Sequence, residues 1–376
     1  MSAWEQIFQA KQAILAVNSG SSSVKARLYL PDGSERAFHF DAIGFDEGGH
    51  RAAFRRLVEE LADIPLAGVG HRIVHGGTVS EPARFVDEGE LVRLDELSHL
   101  APLHMPNCLL GVRACMRALR VPQIACYDTA FHRTMPEEAK RLPIPAALGL
   151  ERFGFHGINF AYIARILPQH LGEAAAGRVV VAHLGSGASL CLLEQSRSVD
   201  TTMGLTPIGG VPMATRSGDL DPGVVIELER QLTAQALTDL LYHQCGWLAL
   251  SGGMSADMKT LVEDRGPQAQ FAVNYFCRGV RAAIGALAAK AGGIDALVFT
   301  GAIGEHSPVI RDKICAPLDF LGFRLSGDAN AQGDTQLNAK DSKPILRLAA
   351  DEERMIALYA AELLRTRTPS IGAPAP

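Results

Sequence analysis

The chain contains the same local pattern twice, and this repeat constrains its fold more than any other feature. In AILAVNSGSSSVKARLYL (13–30), a short apolar run leads through a loop of small residues into a second strand-like run. GRVVVAHLGSGASLCLLE (177–194) has the same order, and Asn18 and His183 take comparable places in the two copies. Short apolar runs bounded by small residues are typical of buried strands. The repeat therefore predicts a duplicated α/β core with a ligand between the copies.

The segments between and after the two copies alternate between helical and strand-like patterns. Helical spacing of apolar residues predicts helices over 51–62, 108–119, 222–242, 268–291 and 351–365. Further strands are predicted within 68–77, 123–132, 295–306 and 344–348. With 376 residues, the chain is long enough for two domains.

Charge and cysteine usage exclude several classes of function. The formal net charge is -5, whereas nucleic-acid-binding domains carry a basic stripe. The seven cysteines form no C-x-x-C pair, so neither a zinc site nor a disulfide framework is expected. The first residues have no signal-peptide core, and no apolar run has the ~18 residues of a membrane span. We therefore expect a cytoplasmic protein without nucleic-acid or membrane partners.

Three loops have the composition of phosphate-binding loops. NSGSSSVK (18–25), HLGSGAS (183–189) and TGAIGEHS (300–307) each follow an apolar strand and consist of small residues that let a phosphate approach the backbone N–H groups. One such loop alone is better explained as a tight hairpin, but three in one chain favour phosphate binding. None has the P-loop or dinucleotide-binding spacing, so neither a P-loop kinase nor a Rossmann dehydrogenase is favoured.

These loops and several further blocks together resemble the acetate kinase family. The blocks are GHRIVHGG, LAPLHMPN, YDTAFH, FGFHG, TTMGLTP, TRSGDLDPG, FTGAIGEHS and DEERMIA, which occur in the family's order over nearly the whole chain. The resemblance implies two ribonuclease H-like, actin-like ATPase domains with an active-site cleft between them. It places the first domain at 1–128 plus 354–376, with a returning C-terminal helix, and a nucleotide-binding, dimer-forming second domain at 129–353. It also implies a homodimer that transfers the γ-phosphoryl group of ATP reversibly to acetate, giving acetyl phosphate and ADP.

The chemistry of such a transfer indicates which groups the site needs. Phosphoryl transfer depends mainly on positioning and on positive charge around the phosphoryl oxygens. A carboxylate acceptor has a pKa of roughly 4 and is ionised at neutral pH, so no general base is required. By resemblance, Asp128, His156 and Arg216 are catalytic, with His156 and Arg216 stabilising the transition state and Asp128 orienting substrate or metal-bound water. Arg72 would bind the substrate carboxylate. Structural ion pairs remain the alternative for both arginines.

The resemblance also assigns the metal and the acid pocket. Asn18 and Glu352 would help to hold Mg²⁺ (or Mn²⁺), with Glu352 favoured over the neighbouring Glu353. The acetate methyl group would lie in a small apolar pocket, to which the resemblance assigns Val74, Leu103, Phe155 and Pro207. His104 and His183 match further family histidines near the site.

Departures from the family pattern concentrate on the nucleotide side. By resemblance, the nucleotide-binding residues are Ser23, Lys25, His183, Leu184, Gly185, Ser186, Gly187, Asp257, Met258, Lys259, Gly301, Ala302, Ile303, Gly304 and His306. Within this set, residues that differ from common family residues are Ser186, Met258, Lys259, Ala302 and His306. Phe160 stands where many members carry His. These departures affect the identity of the phosphoryl donor more than the chemistry, and pyrophosphate is an alternative donor.

Two further readings remain open. Propionate or another short-chain acid could replace acetate, because one methylene changes binding by only ~1–3 kcal/mol. A protein of another class, a nucleotide-gated binding protein of the actin or chaperone type, could be built on the same fold, since a fold does not determine function.

Overall fold

The structure is a computed structural model that describes residues 4–8, 11–20, 23–40, 47–61 and 64–367. The chain divides into two compact units, unit 1 (1–131 and 351–376) and unit 2 (132–350). The domain boundaries predicted from the sequence lie three residues away at each junction. As a result, Glu352 belongs to unit 1, whereas the predicted boundaries placed it in the second domain.

Eleven strands and fifteen α-helices are present among the described residues. The strands are β1 (Ala13–Ser19), β2 (Val24–Tyr29), β3 (Glu35–Phe40), β4 (Leu66–Ile73), β5 (Ala83–Phe85), β6 (Gln123–Tyr127), β7 (Arg178–Leu184), β8 (Ala188–Glu194), β9 (Arg197–Thr201), β10 (Ala296–Thr300) and β11 (Ile345–Arg347). The helices are α1 (Glu5–Phe8), α2 (Glu47–Glu60), α3 (Glu88–Glu96), α4 (Met105–Ala118), α5 (Glu137–Lys140), α6 (Gly157–Leu171), α7 (Pro222–Glu229), α8 (Ala234–Asp239), α9 (Gly246–Leu250), α10 (Met258–Glu263), α11 (Pro267–Lys290), α12 (Gly301–His306), α13 (Pro308–Cys315), α14 (Gly327–Gln332) and α15 (Glu352–Arg367). No helix of the described chain has the length and apolar composition of a bilayer span.

Unit 1 is built on a six-stranded sheet in the order β3-β2-β1-β4-β6-β5. The strands β3, β2 and β1 pair antiparallel, whereas β1, β4 and β6 run parallel. All seven residues of β1 are buried, as expected for a strand in the middle of a covered sheet. The last described helix, α15, packs on β1 and β4 of the first sheet.

Unit 2 repeats this arrangement. Its five strands lie in the order β9-β8-β7-β10-β11, with the first two pairs antiparallel and the last two parallel. The order matches β3-β2-β1-β4-β6 strand for strand, and β5 is an addition to unit 1. The duplicated α/β core predicted from the sequence repeat is therefore confirmed.

Two segments differ from the sequence prediction. The predicted loop at 300–307 is wrong, because helix α12 follows β10 directly. The turn occurs at Gly301, whose φ of +77° lies in the left-handed region that favours glycine. The single helix predicted over 222–242 is also wrong. It is divided into α7 and α8, because Thr233 caps a new helix by accepting a hydrogen bond from the backbone N–H of Ala236.

Candidate active site

The parallel strands of unit 1 bring three of the predicted site residues to one edge of the sheet. Asn18 lies near the end of β1, Arg72 near the end of β4, and Asp128 directly follows β6. Val17 pairs with His71, and Arg72 pairs with Cys126, so the carboxyl ends of these three strands lie side by side at one edge of the sheet. The carboxyl ends of parallel strands are the usual position of ligand sites in α/β sheets.

Arg72 is held by both carboxylates of this edge. Its Nη2 donates to Asp128 Oδ2 at 2.7 Å, and its Nη1 lies 3.1 Å from Glu352 Oε2. The same Nη1 donates to Asn18 Oδ1 at 3.2 Å. Burial lowers the pKa of Arg72, but the charges of Asp128 and Glu352 outweigh burial and raise it, so the guanidinium stays charged. We call Asn18, Arg72, Asp128 and Glu352 the carboxylate cluster.

Glu352 enters the carboxylate cluster from the first turn of α15. Asn18 Nδ2 donates to Glu352 Oε2 at 2.7 Å and to Glu353 Oε1 at 3.0 Å. Acidic side chains are stabilised at a helix N-terminus by the helix dipole. The two glutamates are thus adjacent in space as well as in sequence, and both contact the amide of Asn18.

The oxygen atoms of the carboxylate cluster are of the kind that binds Mg²⁺. They are carboxylate and amide oxygens, which Mg²⁺ prefers, and two carboxylates, Asp128 and Glu352, are opposed by the single guanidinium of Arg72. The described residues contain no group of three or more His, Cys, Asp or Glu side chains arranged to hold a metal by themselves.

The first of the three predicted phosphate-binding loops is only partly described, since residues 21 and 22 lie outside the described ranges. Gly20 N donates to Ser23 O at 2.8 Å, which closes the β1–β2 hairpin. Lys25 pairs across the hairpin with Asn18, and its side chain is exposed. Directly opposed residues of an antiparallel pair lie on the same face, so Lys25 lies on the side of the sheet that carries Asn18.

His156 of unit 2 has an unusual backbone conformation. Its φ is +57°, and it is the N-cap residue of α6. A non-glycine residue in the left-handed region is uncommon and often marks a functional position. His156 Nδ1 lies 2.8 Å from Ser189 Oγ, and its ring stacks on that of His183 with centroids 4.3 Å apart. Both contacts orient the imidazole with Nδ1 occupied.

His183 is held in turn by two residues of α6, Asn159 and Phe160. Its Nδ1 lies 2.8 Å from Asn159 Nδ2, and Asn159 also contacts Thr300 Oγ1 at 3.5 Å. Phe160 packs edge-on against the His183 ring. Phe160, the departure noted in the sequence, therefore contributes an apolar side to the His183 environment.

Arg216 and His156 converge beside Gly187. A Cβ atom at Gly187 would lie 2.5 Å from Arg216 Nη2 and 3.4 Å from His156 Nε2. Glycine, which has no Cβ, therefore leaves room for both side chains in their present positions. Arg216 is 7% exposed, and its Nη1 donates to the backbone O of Pro207 at 2.8 Å. We call His156, His183, Ser189 and Arg216 the histidine–arginine cluster.

The predicted nucleotide residues fall into two groups. The loop residues 183–187 adjoin α12, because Gly301 packs directly on the backbone of Leu184, and the register places Thr300 opposite His183. Ala302 and His306, on α12, are exposed. Asp257, by contrast, makes hydrogen bonds within 255–261, where it caps α10.

Two of the predicted nucleotide-binding residues, Met258 and Lys259, have contrasting environments. Met258 is 3% exposed and belongs to the core, whereas the Lys259 side chain is 82% exposed. The buried side chain of Met258 thus has little surface to offer a ligand. The predicted acid-pocket residues are divided between the units, with Val74 and Leu103 in unit 1 and Phe155 and Pro207 in unit 2.

Sequence reasoning missed three side chains of the site, Ser189, Asn159 and Thr300. Ser189 stands opposite His183 in the β7–β8 hairpin, and this pairing could have been inferred from the length of the small-residue loop. Asn159 lies three residues after His156 on α6, but nothing local indicates that it contacts His183. These residues orient the two histidines.

Comparison with known proteins identifies the family of the chain. The model of the acetokinase family matches residues 48–358. An acetate kinase of Nitrobacter hamburgensis is 39% identical, covering 95% of this chain and 98% of that protein. A crystal structure of a propionate kinase from Francisella tularensis superposes with a TM-score of 0.83 at 30% identity, covering 93% of this chain and 98% of that one. The acetate kinase structure of Porphyromonas gingivalis gives 0.78 at 29% identity, covering 94% and 100%. The chain therefore belongs to the acetokinase family.

Proposed function

We propose that the protein is an acetate kinase, which transfers the γ-phosphoryl group of ATP to acetate and reverses the reaction with acetyl phosphate and ADP. The convergence of Arg216 and His156 beside Gly187 carries this proposal. It concentrates guanidinium and imidazole donors at one point, which is what the equatorial oxygens of a transferring phosphoryl group require.

The transfer proceeds by direct in-line attack of an acetate oxygen on the γ-phosphorus. The O–P bond to acetate forms while the bond to the β-phosphate oxygen breaks, and ADP leaves with that electron pair. Acetate is already ionised at neutral pH, so the protein removes no proton from it. Arg216 neutralises the developing charge, and His156 donates from Nε2 while Ser189 occupies Nδ1.

The carboxylate cluster supplies substrate binding and the metal. Arg72 binds the acid carboxylate, and Asp128 orients the guanidinium through Nε and Nη2. Asn18 and Glu352 would hold Mg²⁺ (or Mn²⁺). When bound, the metal neutralises phosphate charge and orients the phosphoryl donor. Asp128 also holds the position of Arg72 before substrate binds, so little rearrangement is needed.

Acetate is the proposed acid, with propionate as the alternative. Val74 and Phe155 are 3% and 1% exposed, which indicates that neither side chain can move aside freely for a longer acid. A likeness to a propionate kinase structure keeps the alternative open. Since one methylene changes binding by only ~1–3 kcal/mol, activity on both acids with a preference for acetate is expected.

We also propose that the protein forms a homodimer through unit 2 in the cytoplasm, where cysteines stay reduced. None of the residues 219–241 is buried, although this segment includes α7 and α8. Leu220, Val224 and Ile226 are 41%, 44% and 55% exposed. Large exposed apolar patches often mark interaction surfaces, and these three exposed side chains lie close together in sequence.

The proposal is tested by trapping acyl phosphate with hydroxylamine. Acetate, propionate and butyrate are each combined with ATP, GTP and pyrophosphate, with and without Mg²⁺. We expect a strong Mg²⁺-dependent signal with acetate and ATP. A signal with pyrophosphate alone would show that pyrophosphate, and not ATP, is the phosphoryl donor. A signal with butyrate alone would overturn the assignment of acetate as the acid. Slow ATP hydrolysis without acyl phosphate would instead favour a nucleotide-gated binding protein.

A further inference from the structure

We propose that the groove between α2 and α4 of unit 1 binds a small amphiphilic anion, with an apolar body and a single anionic head group, and that its occupant acts on the loop after β1. The groove lies outside the carboxylate cluster and shares no lining residue with it. Its volume is about 670 Å³, within the range of small-molecule sites.

The floor of the groove is apolar. Phe54 from α2 and Leu109 from α4 are each 1% exposed and close its base. Val58, Leu110 and Ala114 extend this surface along the two helices. An apolar chain placed here would remove these side chains and itself from water, which is favourable in proportion to the area buried.

The walls of the groove are basic, although the chain as a whole has a net charge of -5. Arg51 and Arg55 lie one turn apart on α2, and Arg113 and Arg117 lie one turn apart on α4, so each pair occupies one helix face. Arg113 is paired with Asp95. This arrangement places four guanidinium groups around an apolar floor, and such a combination matches an amphiphile with an anionic head.

Arg55 and Arg117 are the head-group candidates. Both side chains belong to exposed residues, and neither has a hydrogen bond or ion pair with any described residue. Glu59 and Asp95 are the two carboxylates of the groove lining, and Asp95 is engaged by Arg113. The guanidinium groups of Arg55 and Arg117 are therefore available for an external carboxylate, sulfonate or phosphate.

The two helices that form the groove also contact the last residue of β1 and the residue that follows it. His50 Nε2, on α2, lies 3.0 Å from Gly20 O. On α4, the backbone O of Asn107 accepts from Ser19 Oγ at 3.3 Å, and Cys108 Sγ lies 3.6 Å from Ser19 O. An occupant that spreads or clamps the two helices would thus act on the residues that follow Asn18.

The test uses the full chain, with decanoate and decyl phosphate as anionic probes and decanol as the uncharged probe of matched length. Calorimetry is expected to show one site for each anion and roughly tenfold weaker binding of decanol. Arg55→Gln combined with Arg117→Gln should weaken binding of the anions roughly tenfold. The matched control Arg120→Gln removes an exposed arginine beside α4 that does not line the groove, and should leave affinity unchanged.

Two further measurements separate the floor from the walls and test the loop. Ala114→Phe, which fills the floor, should abolish binding of all three probes. Hydrogen exchange of residues 13–20 should change on adding decanoate to the parent protein and not to the double arginine variant. Equal affinity for decanol and decanoate, or binding that survives the double variant, would overturn the site. Binding only to anionic vesicles would assign the groove to a membrane surface instead, and unchanged exchange despite binding would refute the action on the loop.

Discussion

The two units share one sheet topology but carry opposite chemistry at the corresponding strand ends. In unit 1, the ends of β1, β4 and β6 present Asn18, Arg72 and Asp128, and the carboxylate oxygens dominate. In unit 2, the corresponding strand β7 presents His183, beside His156 and Arg216. Two carboxylates therefore distinguish the cluster of unit 1, and two imidazoles distinguish the cluster of unit 2.

The origin of the side chains explains this difference. The carboxylate cluster is built mainly on strand ends, with Glu352 added by the returning helix α15. The histidine–arginine cluster takes only His183 and Ser189 from strands, whereas His156 and Arg216 come from the long connections before α6 and after β9. The comparison indicates that the topology determines where a site lies and that the connections determine its charge.

The largest expected effect is that of Arg216→Ala, which removes the guanidinium beside Gly187. If the histidine–arginine cluster stabilises the transferring phosphoryl group, kcat should fall roughly 10²- to 10³-fold. The KM for acetate should change much less, because Arg72 rather than Arg216 binds the acid. Steady-state kinetics of acyl phosphate formation measure both quantities.

Arg178→Ala is the matched control in the same unit. Arg178 pairs with Asp295 at 2.9 Å in a partly exposed position outside both clusters, so its removal should leave kcat intact. An Arg216→Ala enzyme with parental kcat on acetate and propionate would refute the division of roles between the units.

The second effect concerns stability and is expected in both units alike. Burial lowers the pKa of His71 in unit 1 and of His132 in unit 2 to about 4, so each is neutral in the folded state at pH 5. Between roughly pH 6.5 and 4 the unfolded chain binds protons that the folded chain does not, so stability falls as pH falls through this window. Each histidine contributes on the order of 3 kcal/mol to the loss by pH 4.

Denaturant unfolding of His71→Gln and His132→Gln between pH 7 and 4 measures this effect. The readout is the slope of stability against pH, since each substitution also changes packing. Each variant should show a shallower slope than the parent protein. A slope unchanged in His71→Gln but reduced in His132→Gln would show that burial acts unequally in the two units.

The third effect separates two neighbouring carboxylates of unit 1. Glu352→Gln should raise the Mg²⁺ concentration for half-maximal activity roughly 10- to 100-fold, because it removes a proposed metal-binding charge. Glu353→Gln is the matched control, since Glu353 also contacts Asn18 but lies 3.8 Å from Arg27 and is part of a second ion-pair network. A larger increase in that Mg²⁺ concentration for Glu353→Gln than for Glu352→Gln would show that Glu353 is the metal-binding residue.

The smallest effect is expected for Ser189→Ala, which leaves His156 Nδ1 without its hydroxyl partner. Loss of one orienting hydrogen bond should reduce kcat roughly tenfold without changing the KM for acetate. A lower melting temperature with an unchanged kcat would mean that Ser189 serves packing alone.

Sequence reasoning recovered the regular elements best where apolar periodicity is strong. The buried strands β1, β7 and β10 and the long helix α11 were predicted, because their apolar patterns are local. The short strands β3, β5 and β9 were missed, and 222–242 was joined into one helix, since its apolar residues favour helix throughout while Thr233 starts a new one. Short edge elements depend on their pairing partners more than on their own residues.

The candidate residues can be predicted by type, but their contacts cannot. The repeat and the family blocks predict Asn18, Arg72, Asp128, His156 and Arg216 as site residues. Nothing local indicated that Ser189 would contact His156, or that Met258 would be buried. Both outcomes depend on how strands and helices pack, which a residue's neighbours in sequence do not specify.

The sequence by itself determined the duplicated strand–loop–strand architecture and the chemical types of the site residues, because strand formation and small-residue loops follow from local patterns. Only the tertiary structure decided which of these groups meet. Asn18 and Glu352 are 334 residues apart, yet their side chains lie 2.7 Å from each other. Parallel pairing of β1, β4 and β6 and the return of α15 bring them together, and these long-range contacts arise only when the whole unit folds.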